Sequence, residues 1–168
     1  VTWNKSNHYI KYQNQVKELY RKQADVRKYQ HECLANHILS LGDKFYVEKM
    51  NFAGLQKRSS KTEKNDEGKF KKKKRFGKSL ANRAPAMLLN IINRKLSYYG
   101  LKLIEINTYK AKASQFNHMT GEYHKKSLSQ RWSTFDEFTV QRDLYSAFLI
   151  MNIANDLENF DIEKSNDR

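Results

Sequence analysis

Cysteine, proline and glycine are scarce in this chain of 168 residues, which holds one cysteine, one proline and six glycines. The single cysteine, Cys33, excludes an intrachain disulfide and a cysteine-based zinc site, and it fits a reducing compartment. No apolar run approaches the roughly 20 residues that a membrane-spanning helix needs. We therefore expect a cytoplasmic protein with no membrane partner and no zinc.

Acidic residues are also few, since 18 Asp and Glu stand against 32 Lys and Arg and leave a formal net charge of +14. This excess predicts a polyanionic partner, and nucleic acid is the default. The length suits one ordinary domain with a moderate core. Because the chain opens on Val1 rather than on Met, we expect it to be part of a longer protein.

Residues 1–41 are expected to form a long helical arm, because no proline or glycine occurs from Lys5 to Leu41. Such a helix would be roughly 50 Å long at about 1.5 Å per residue. Its basic face either follows a phosphate backbone or is simply solvated. The heptad-like pattern predicts no oligomeric state, because helices that fold back on their own domain show it too. The apolar positions are Tyr9, Tyr12, Val16, Leu19, Val26 and Cys33.

A short strand is predicted from Lys44 to Val47, and it ends on the carboxylate of Glu48 at the sheet edge. Much later in the chain, Asp143 lies among small residues in a helical pattern. Two acids brought together by a fold can hold Mg²⁺ for phosphodiester chemistry. Asp43 and Glu105, the other acids near predicted strands, are interpreted as structural.

Residues 57–78 form a lysine-rich insert that cannot bury a core and is expected to be a mobile loop. It would bind phosphates without reading sequence, in a salt-dependent way, unless it only solubilises the chain or acts as a localisation signal. The residues predicted to contact nucleic acid are Lys57, Arg58, Lys71, Lys72, Lys73, Lys74 and Arg75.

A helix is predicted from about Asn82 to Gly100, with Pro85 in its first turn, and a strand follows from Leu101 to Ile106. The helix is expected to cover one face of a sheet. Its predicted buried stripe comprises Leu88, Leu89, Ile91, Ile92, Leu96 and Tyr99. The order strand, helix, strand, helix predicts a mixed α/β architecture.

The segment 108–134 reads as a polar loop whose aromatics either stack on a single strand or pack on their own domain: Phe116, Tyr123 and Trp132. His118 and His124 are weak candidates for a metal site. A final helix is predicted over 136–157, followed by a polar, frayed tail at 161–168. The predicted buried stripe of this final helix is Leu144, Ala147 or Phe148, Met151 and Ala154.

Three segments together carry a family resemblance: Tyr46–Gln56, Lys110–Gln115 and Gln141–Ala147. They resemble the C-terminal half of the TnpB proteins of bacterial insertion sequences. These proteins were long described as transposases and are related to the type V CRISPR effector nucleases. The resemblance covers nearly the whole chain, including the long helix and the lysine-rich insert.

The resemblance implies an RNase H-like fold with a RuvC nuclease site that uses a guide RNA to select and cut DNA. Residues 42–160 would then be the C-terminal part of that domain, a mixed sheet with flanking helices, incomplete at its N-terminus. Glu48 and Asp143 match two of the family's catalytic carboxylates, which bind two Mg²⁺ ions. Further nucleic-acid contacts are expected at Lys110, Ser114, Gln115, Arg131 and Arg142. The setting would be the bacterial cytoplasm, close to the nucleoid.

The chain departs from the family pattern in two ways. The first catalytic aspartate of the family belongs to a strand that would precede Val1, so we expect this chain alone to be inactive. After Gln115, where many relatives have two cysteine pairs that bind zinc, the sequence runs Phe116, Asn117, His118 and Met119. Two alternatives are a nuclease-dead remnant that binds nucleic acid, as a decoy or repressor, and a basic scaffold that binds structured RNA.

Overall fold

The computed structural model describes residues 4–57, 60–71, 76–127, 129–135 and 138–166. The chain forms two compact units. Unit 1 comprises Val1–Asp43 and Asn51–Lys102, and unit 2 comprises Lys44–Met50 and Leu103–Arg168. Helices and short strands both occur, so the α/β class predicted from the sequence is correct at that level.

Unit 1 is helical and contains α1 (Asn7–Leu39), α2 (Phe52–Gln56), α3 (Phe76–Arg83) and α4 (Pro85–Ser97). The long N-terminal helix is confirmed, and it begins after Ser6, whose Oγ accepts a hydrogen bond from the Tyr9 N–H. Pro85 lies in the first turn of α4, as predicted, whereas Asn82, where this helix was expected to begin, belongs to α3. Gly100 follows α4 in a left-handed conformation, with φ of 71°.

The buried face of α1 differs from the face with the heptad pattern. Helix α1 packs against α4, and Ala35 is fully buried there. Glu32 on this face forms ion pairs with Arg94 at 2.5 Å and Lys95 at 3.0 Å. The predicted apolar positions are exposed instead: Tyr9, Tyr12, Val16, Leu19, Val26 and Cys33. Thus the small side chain at position 35, rather than the larger apolar ones, lies where the helices meet.

Helix α4 buries Ile91, Ile92 and Leu96, three of the positions predicted for its stripe. Tyr99, which was also predicted in that stripe, is exposed. We expected this helix to cover a sheet, but the partner that it has in unit 1 is α1.

The short helices α2 and α3 pack closely, because Gly77 of α3 lies against the backbone of α2. A Cβ atom at residue 77 would lie 2.3 Å from the Gln56 carbonyl oxygen. Part of the predicted loop is also ordered, since Lys64 and Phe70 form an antiparallel β-bridge around a turn at 65–68.

The described part of unit 2 contains six short strands and three helices. The strands are β1 (Tyr46–Glu48), β2 (Ile104–Ile106), β3 (Phe116–Asn117), β4 (Glu122–Tyr123), β5 (Trp132–Thr134) and β6 (Thr139–Gln141). The helices are α5 (Thr108–Ala111), α6 (Arg142–Met151) and α7 (Ile162–Asn166). Segment 108–134 is therefore not the plain loop that its polarity predicted.

In the described part of unit 2 the strands form three two-stranded sheets rather than the expected larger mixed sheet. Strands β1 and β2 are parallel, with Tyr46 opposite Ile104 and Glu48 opposite Ile106. The pairs β3–β4 and β5–β6 are antiparallel. Both predicted strands before residue 107 are confirmed, although each is shorter than expected.

Helix α6 lies at the centre of the unit 2 core. Its boundaries and its buried face both differ from the prediction. Residues 139–141, expected to be helical, form a strand. The buried residues of α6 are Tyr145 and Leu149, whereas Leu144, Ala147 and Met151 are exposed. The other core residues are Ile106, Ala111, Ala113, Phe116, Ile153 and Phe160.

The C-terminal residues also differ from the predicted frayed tail. Residues 162–166 form α7, and its Ser165 is buried, with Oγ donating to the Asp161 carbonyl at 2.8 Å. None of the helices in the described part of the chain has the length and apolar character needed to cross a membrane.

Candidate metal and nucleic-acid site

Glu48 is the last residue of β1, at the end of a parallel strand pair. The next peptide continues the pairing, because the Lys49 N–H donates to the Ile106 carbonyl at 3.3 Å. The Glu48 side chain is half-buried, and burial raises its pKa above the ordinary value of 4.5. Within the described residues, its carboxylate has neither a hydrogen bond nor an ion pair. Its charge is thus partly desolvated and uncompensated, which favours binding of a cation.

Asp143 lies in the first turn of α6, where the helix dipole favours a negative charge. The Gln141 side chain caps this helix by accepting hydrogen bonds from the N–H groups of Asp143 at 3.0 Å and Leu144 at 2.9 Å. The exposed carboxylate of Asp143 also accepts from Gln141 Nε2 at 3.3 Å and Arg142 Nε at 3.4 Å. These contacts fix its position at the start of the helix.

The two predicted carboxylates belong to elements of unit 2 that are in contact, because α6 packs against β1. Their oxygen atoms are the ligand type that Mg²⁺ prefers. Among the described residues, no group of three or more Asp, Glu, His or Cys side chains is arranged to hold a metal ion. Among the described residues the candidate donors are thus Glu48 and Asp143, and a magnesium ion held by one or two carboxylates keeps several waters.

Glu105 and Asp43 differ from Glu48 in their surroundings. Glu105 on β2 is exposed and lies 3.7 Å from Lys49 Nζ, as a surface ion pair. Asp43 is exposed and precedes β1. Both fit the structural interpretation given to them from the sequence.

Arg142 was predicted to contact nucleic acid, but its guanidinium is mostly used inside unit 2. The side chain is 15% exposed, and Nη1 donates to the carbonyls of Gln130 at 3.2 Å and Ser127 at 3.5 Å. Its backbone N–H also donates to the Arg131 carbonyl at 2.8 Å. Hydrogen bonds of Arg142 therefore connect the segment before β5 to the start of α6.

The other predicted contacts of unit 2 are more accessible. Lys110 on α5 is exposed and forms an ion pair with Glu158 at 2.6 Å. Ser114 and Arg131 are exposed, whereas Gln115 is half-buried just before β3. These polar side chains remain candidates for phosphate contacts.

The basic insert belongs to unit 1. Lys57 is exposed at the end of α2, and Lys71 is exposed with its Nζ 3.9 Å from Glu63. The other predicted contacts of the insert lie outside the described residues: Arg58, Lys72, Lys73, Lys74 and Arg75.

The aromatic residues that were candidates for base stacking have different environments. Phe116 is buried and stacks on Phe160 with ring centroids 4.7 Å apart, so it is a core residue. Trp132 and Tyr123 are exposed on β5 and β4. A further group of aromatic side chains, which we did not single out from the sequence, surrounds His118.

His118 is 6% exposed, and its Nδ1 lies 2.6 Å from the Tyr145 hydroxyl, so it is part of the packed interior of unit 2. The rings of Phe135, Tyr145 and Phe148 all lie within about 6 Å of its ring centroid, at 6.0, 5.6 and 5.7 Å. His124 is exposed and paired with Glu122 at 3.0 Å. In the sequence, only the three-residue spacing of Tyr145 and Phe148 on one helix indicated this aromatic cluster.

Comparison with known proteins found no protein-family model and no curated protein that matches this chain.

Proposed function

We propose that this chain is the C-terminal part of a TnpB-like, RuvC-type nuclease with an RNase H-like fold, which uses a guide RNA to cut DNA. The sequence resemblance supports this proposal, as do the net charge of +14 and the parallel pairing of β1 and β2. In a bacterial cytoplasm, DNA, guide RNA and Mg²⁺ would all be available to it.

The observation that carries the proposal is the setting of Glu48. A half-buried carboxylate without a partner in the described residues costs folding free energy, and such costs are concentrated at functional sites. The helix that packs on its strand places a second acid, Asp143, in the helix's first turn. These are the two acids that match the family pattern.

In this mechanism Glu48 and Asp143 would hold Mg²⁺, while Gln141 and Arg142 keep the Asp143 carboxylate in position. Bound Mg²⁺ supplies an activated water and stabilisation of the leaving oxygen of the phosphodiester. The exposed basic side chains contribute phosphate contacts, whose strength should fall steeply with salt.

The direct test is metal binding by the chain itself, measured with Mn²⁺ as a paramagnetic substitute for Mg²⁺. Mn²⁺ should broaden the NMR signals of residues 46–49 and of the first turn of α6, and excess Mg²⁺ should reverse this. Glu48→Gln and Asp143→Asn should each remove the effect. Glu105→Gln is the matched control, because Glu105 lies on the neighbouring strand and is already paired with Lys49.

Broadening that persists in both variants would contradict the assignment of the metal ligands. In a longer protein that also supplies the upstream strand and its aspartate, Asp143→Ala should abolish Mg²⁺-dependent cleavage and leave nucleic-acid binding nearly intact. Cleavage by that variant would rule out the nuclease mechanism proposed here.

A second candidate function is a nuclease-dead protein that binds nucleic acid, acting as a decoy or repressor. It is favoured by the lack, in the described residues, of a group of three or more potential metal ligands. Salt-sensitive binding of RNA or DNA, without Mn²⁺ binding and without cleavage by the longer protein, would support this candidate instead.

A further inference from the structure

A cavity of about 580 Å³ lies in unit 2, next to His118. This volume is within the range of about 300–1,000 Å³ that is usual for small-molecule sites. The residues that matter for its chemistry are His118, Met119, Phe138, Tyr145, Phe148 and Ser165. None of them is a proposed metal ligand.

Aromatic rings make up much of the cavity lining. Tyr145 and Phe148 belong to α6, and their rings lie 6.3 Å apart with planes inclined by 24°. Phe138 precedes β6 and is 46% exposed, and Met119 is 60% exposed, so solvent reaches the rim at both residues. Flat π-systems at an accessible rim are suited to stacking against another flat ring.

The polar groups of the cavity are few and have defined roles. Tyr145 Oη accepts a hydrogen bond from the His118 backbone N–H at 3.1 Å, so its own proton is free to donate to His118 Nδ1 at 2.6 Å. In that arrangement the neutral imidazole carries its own proton on Nε2 and can donate it. Within the described residues Nε2 has no hydrogen-bond partner, although His118 as a residue is only 6% exposed. Ser165 adds a hydroxyl oxygen that can still accept.

We propose that this cavity binds an unpaired nucleobase of a single-stranded nucleic acid. A base offers a flat ring for the aromatic lining, and acceptors and donors at its edge for His118 and Ser165. The charge of the chain favours this occupant over an apolar peptide side chain, because a net charge of +14 attracts the phosphates linked to a base. The inference rests on the proposed nucleic-acid function and adds a base-binding site to it.

The test uses the full chain with methyl-¹³C-labelled methionine, which gives one NMR signal for each of Met50, Met87, Met119 and Met151. Adenosine monophosphate is titrated into the millimolar range, and ribose 5-phosphate serves as the probe that has the phosphate but lacks the base. The Met119 signal, assigned through Met119→Leu, should shift with adenosine monophosphate and stay unchanged with ribose 5-phosphate.

Phe138→Ala should weaken the binding of adenosine monophosphate about tenfold, because stacking on one aromatic ring has roughly that effect. Tyr109→Ala is the matched control: Tyr109 is an aromatic residue of unit 2 that is 89% exposed and lies outside the cavity. It should leave the affinity unchanged. If the signals of Met50, Met87 and Met151 are unchanged in Phe138→Ala and Tyr109→Ala, both variant proteins are folded.

Equal shifts with the two probes, or no shift of Met119 with adenosine monophosphate, would overturn the proposal. So would a Met119 shift produced only by an apolar peptide, which would assign the cavity to a protein partner. The outcome is separate from that of the metal test, because Glu48→Gln and Asp143→Asn should remove Mn²⁺ binding without changing the response of Met119.

Discussion

The hydroxyl of Tyr145 contacts two groups of His118 at once, the backbone N–H at 3.1 Å and the ring Nδ1 at 2.6 Å. The two residues are 27 positions apart, and both are at least nine-tenths buried. This pair joins the β3–β4 hairpin region to α6. Unit 2 thus has a hydrogen-bonded aromatic cluster around His118, built from residues far apart in the sequence.

Tyr145→Phe removes this hydroxyl and leaves the buried His118 N–H and Nδ1 without their partner. The free energy of unfolding should fall by about 1–3 kcal/mol, the usual cost of an unsatisfied buried polar group. Urea denaturation measures the change. Tyr109→Phe, which removes a hydroxyl from a fully accessible ring, should leave the urea midpoint unchanged. Equal stability of the two variants would show that the Tyr145 hydroxyl does not stabilise the fold.

The stability of the protein should decrease in mildly acidic solution because of His118. Burial lowers the pKa of His118 below its ordinary value of 6.5, so the unfolded chain takes up the proton more readily than the folded one. Its contribution to stability is therefore fully present above pH 6.5 and is lost as the pH falls through the lower pKa of the folded state.

His118→Gln should flatten the dependence of the unfolding free energy on pH below pH 6.5, measured by urea denaturation at several mildly acidic pH values. His124→Gln is the control, because His124 is exposed beside Glu122. The carboxyl groups of Asp156 and Asp161 have lowered pKa values, so they act at more acidic pH than this window. An unchanged slope in His118→Gln would contradict the prediction.

Glu48→Gln should stabilise the protein in the absence of divalent metal. Burial raises the pKa of Glu48, so the folded state favours the neutral form, and the charged form is unfavourable at neutral pH. A neutral amide should therefore raise the free energy of unfolding, by up to about 1 kcal/mol, at the expense of metal binding. Denaturation in the presence of a chelator checks this. Glu105→Gln should show no such gain, since that carboxylate is exposed.

Ala84→Gly should also stabilise the protein. Ala84 precedes α4 with φ of 45° and ψ of 56°, a left-handed conformation that costs a residue with a Cβ about 1–2 kcal/mol. After allowance for the greater freedom of glycine in the unfolded chain, we expect a net gain of about 0.5 kcal/mol and a rise in Tm of about 1–2 °C. The matched change Ala86→Gly, inside α4, should lower Tm, because glycine is a poor helix former. If both changes lower Tm, residue 84 is not strained.

Local sequence signals predicted the elements whose patterns are strong. The uninterrupted segment before Leu41 gave α1, Pro85 and Gly100 bracketed α4, and the aromatic and β-branched residues before Glu48 gave β1. In each case neighbouring residues set the backbone conformation, through proline, glycine or side-chain shape. The two candidate metal ligands were named from the sequence by the family resemblance, together with the strand and helix that carry them.

The sequence was misleading where a buried face depends on a distant partner. The heptad positions of α1 are exposed because α4 packs on the side of Ala35. At the start of α6, apolar and small residues from Thr139 onwards suited a helix, yet residues 139–141 pair with β5. In this segment, pairing with β5, which lies several positions earlier in the chain, outweighs the local preference for a helix.

What the sequence determined by itself is the charge of the chain, its two long helices and its first two strands, and with the family resemblance it also named the two acids of the candidate metal site. Only the tertiary structure decided that Glu48 is half-buried while Asp143 is exposed, that Arg142 is used internally, and that His118 meets Tyr145 beside a cavity. The reason is physical. Composition and helical or strand periodicity depend on nearby residues, whereas desolvation, hydrogen-bond partners and cavities arise only when residues far apart in sequence pack together.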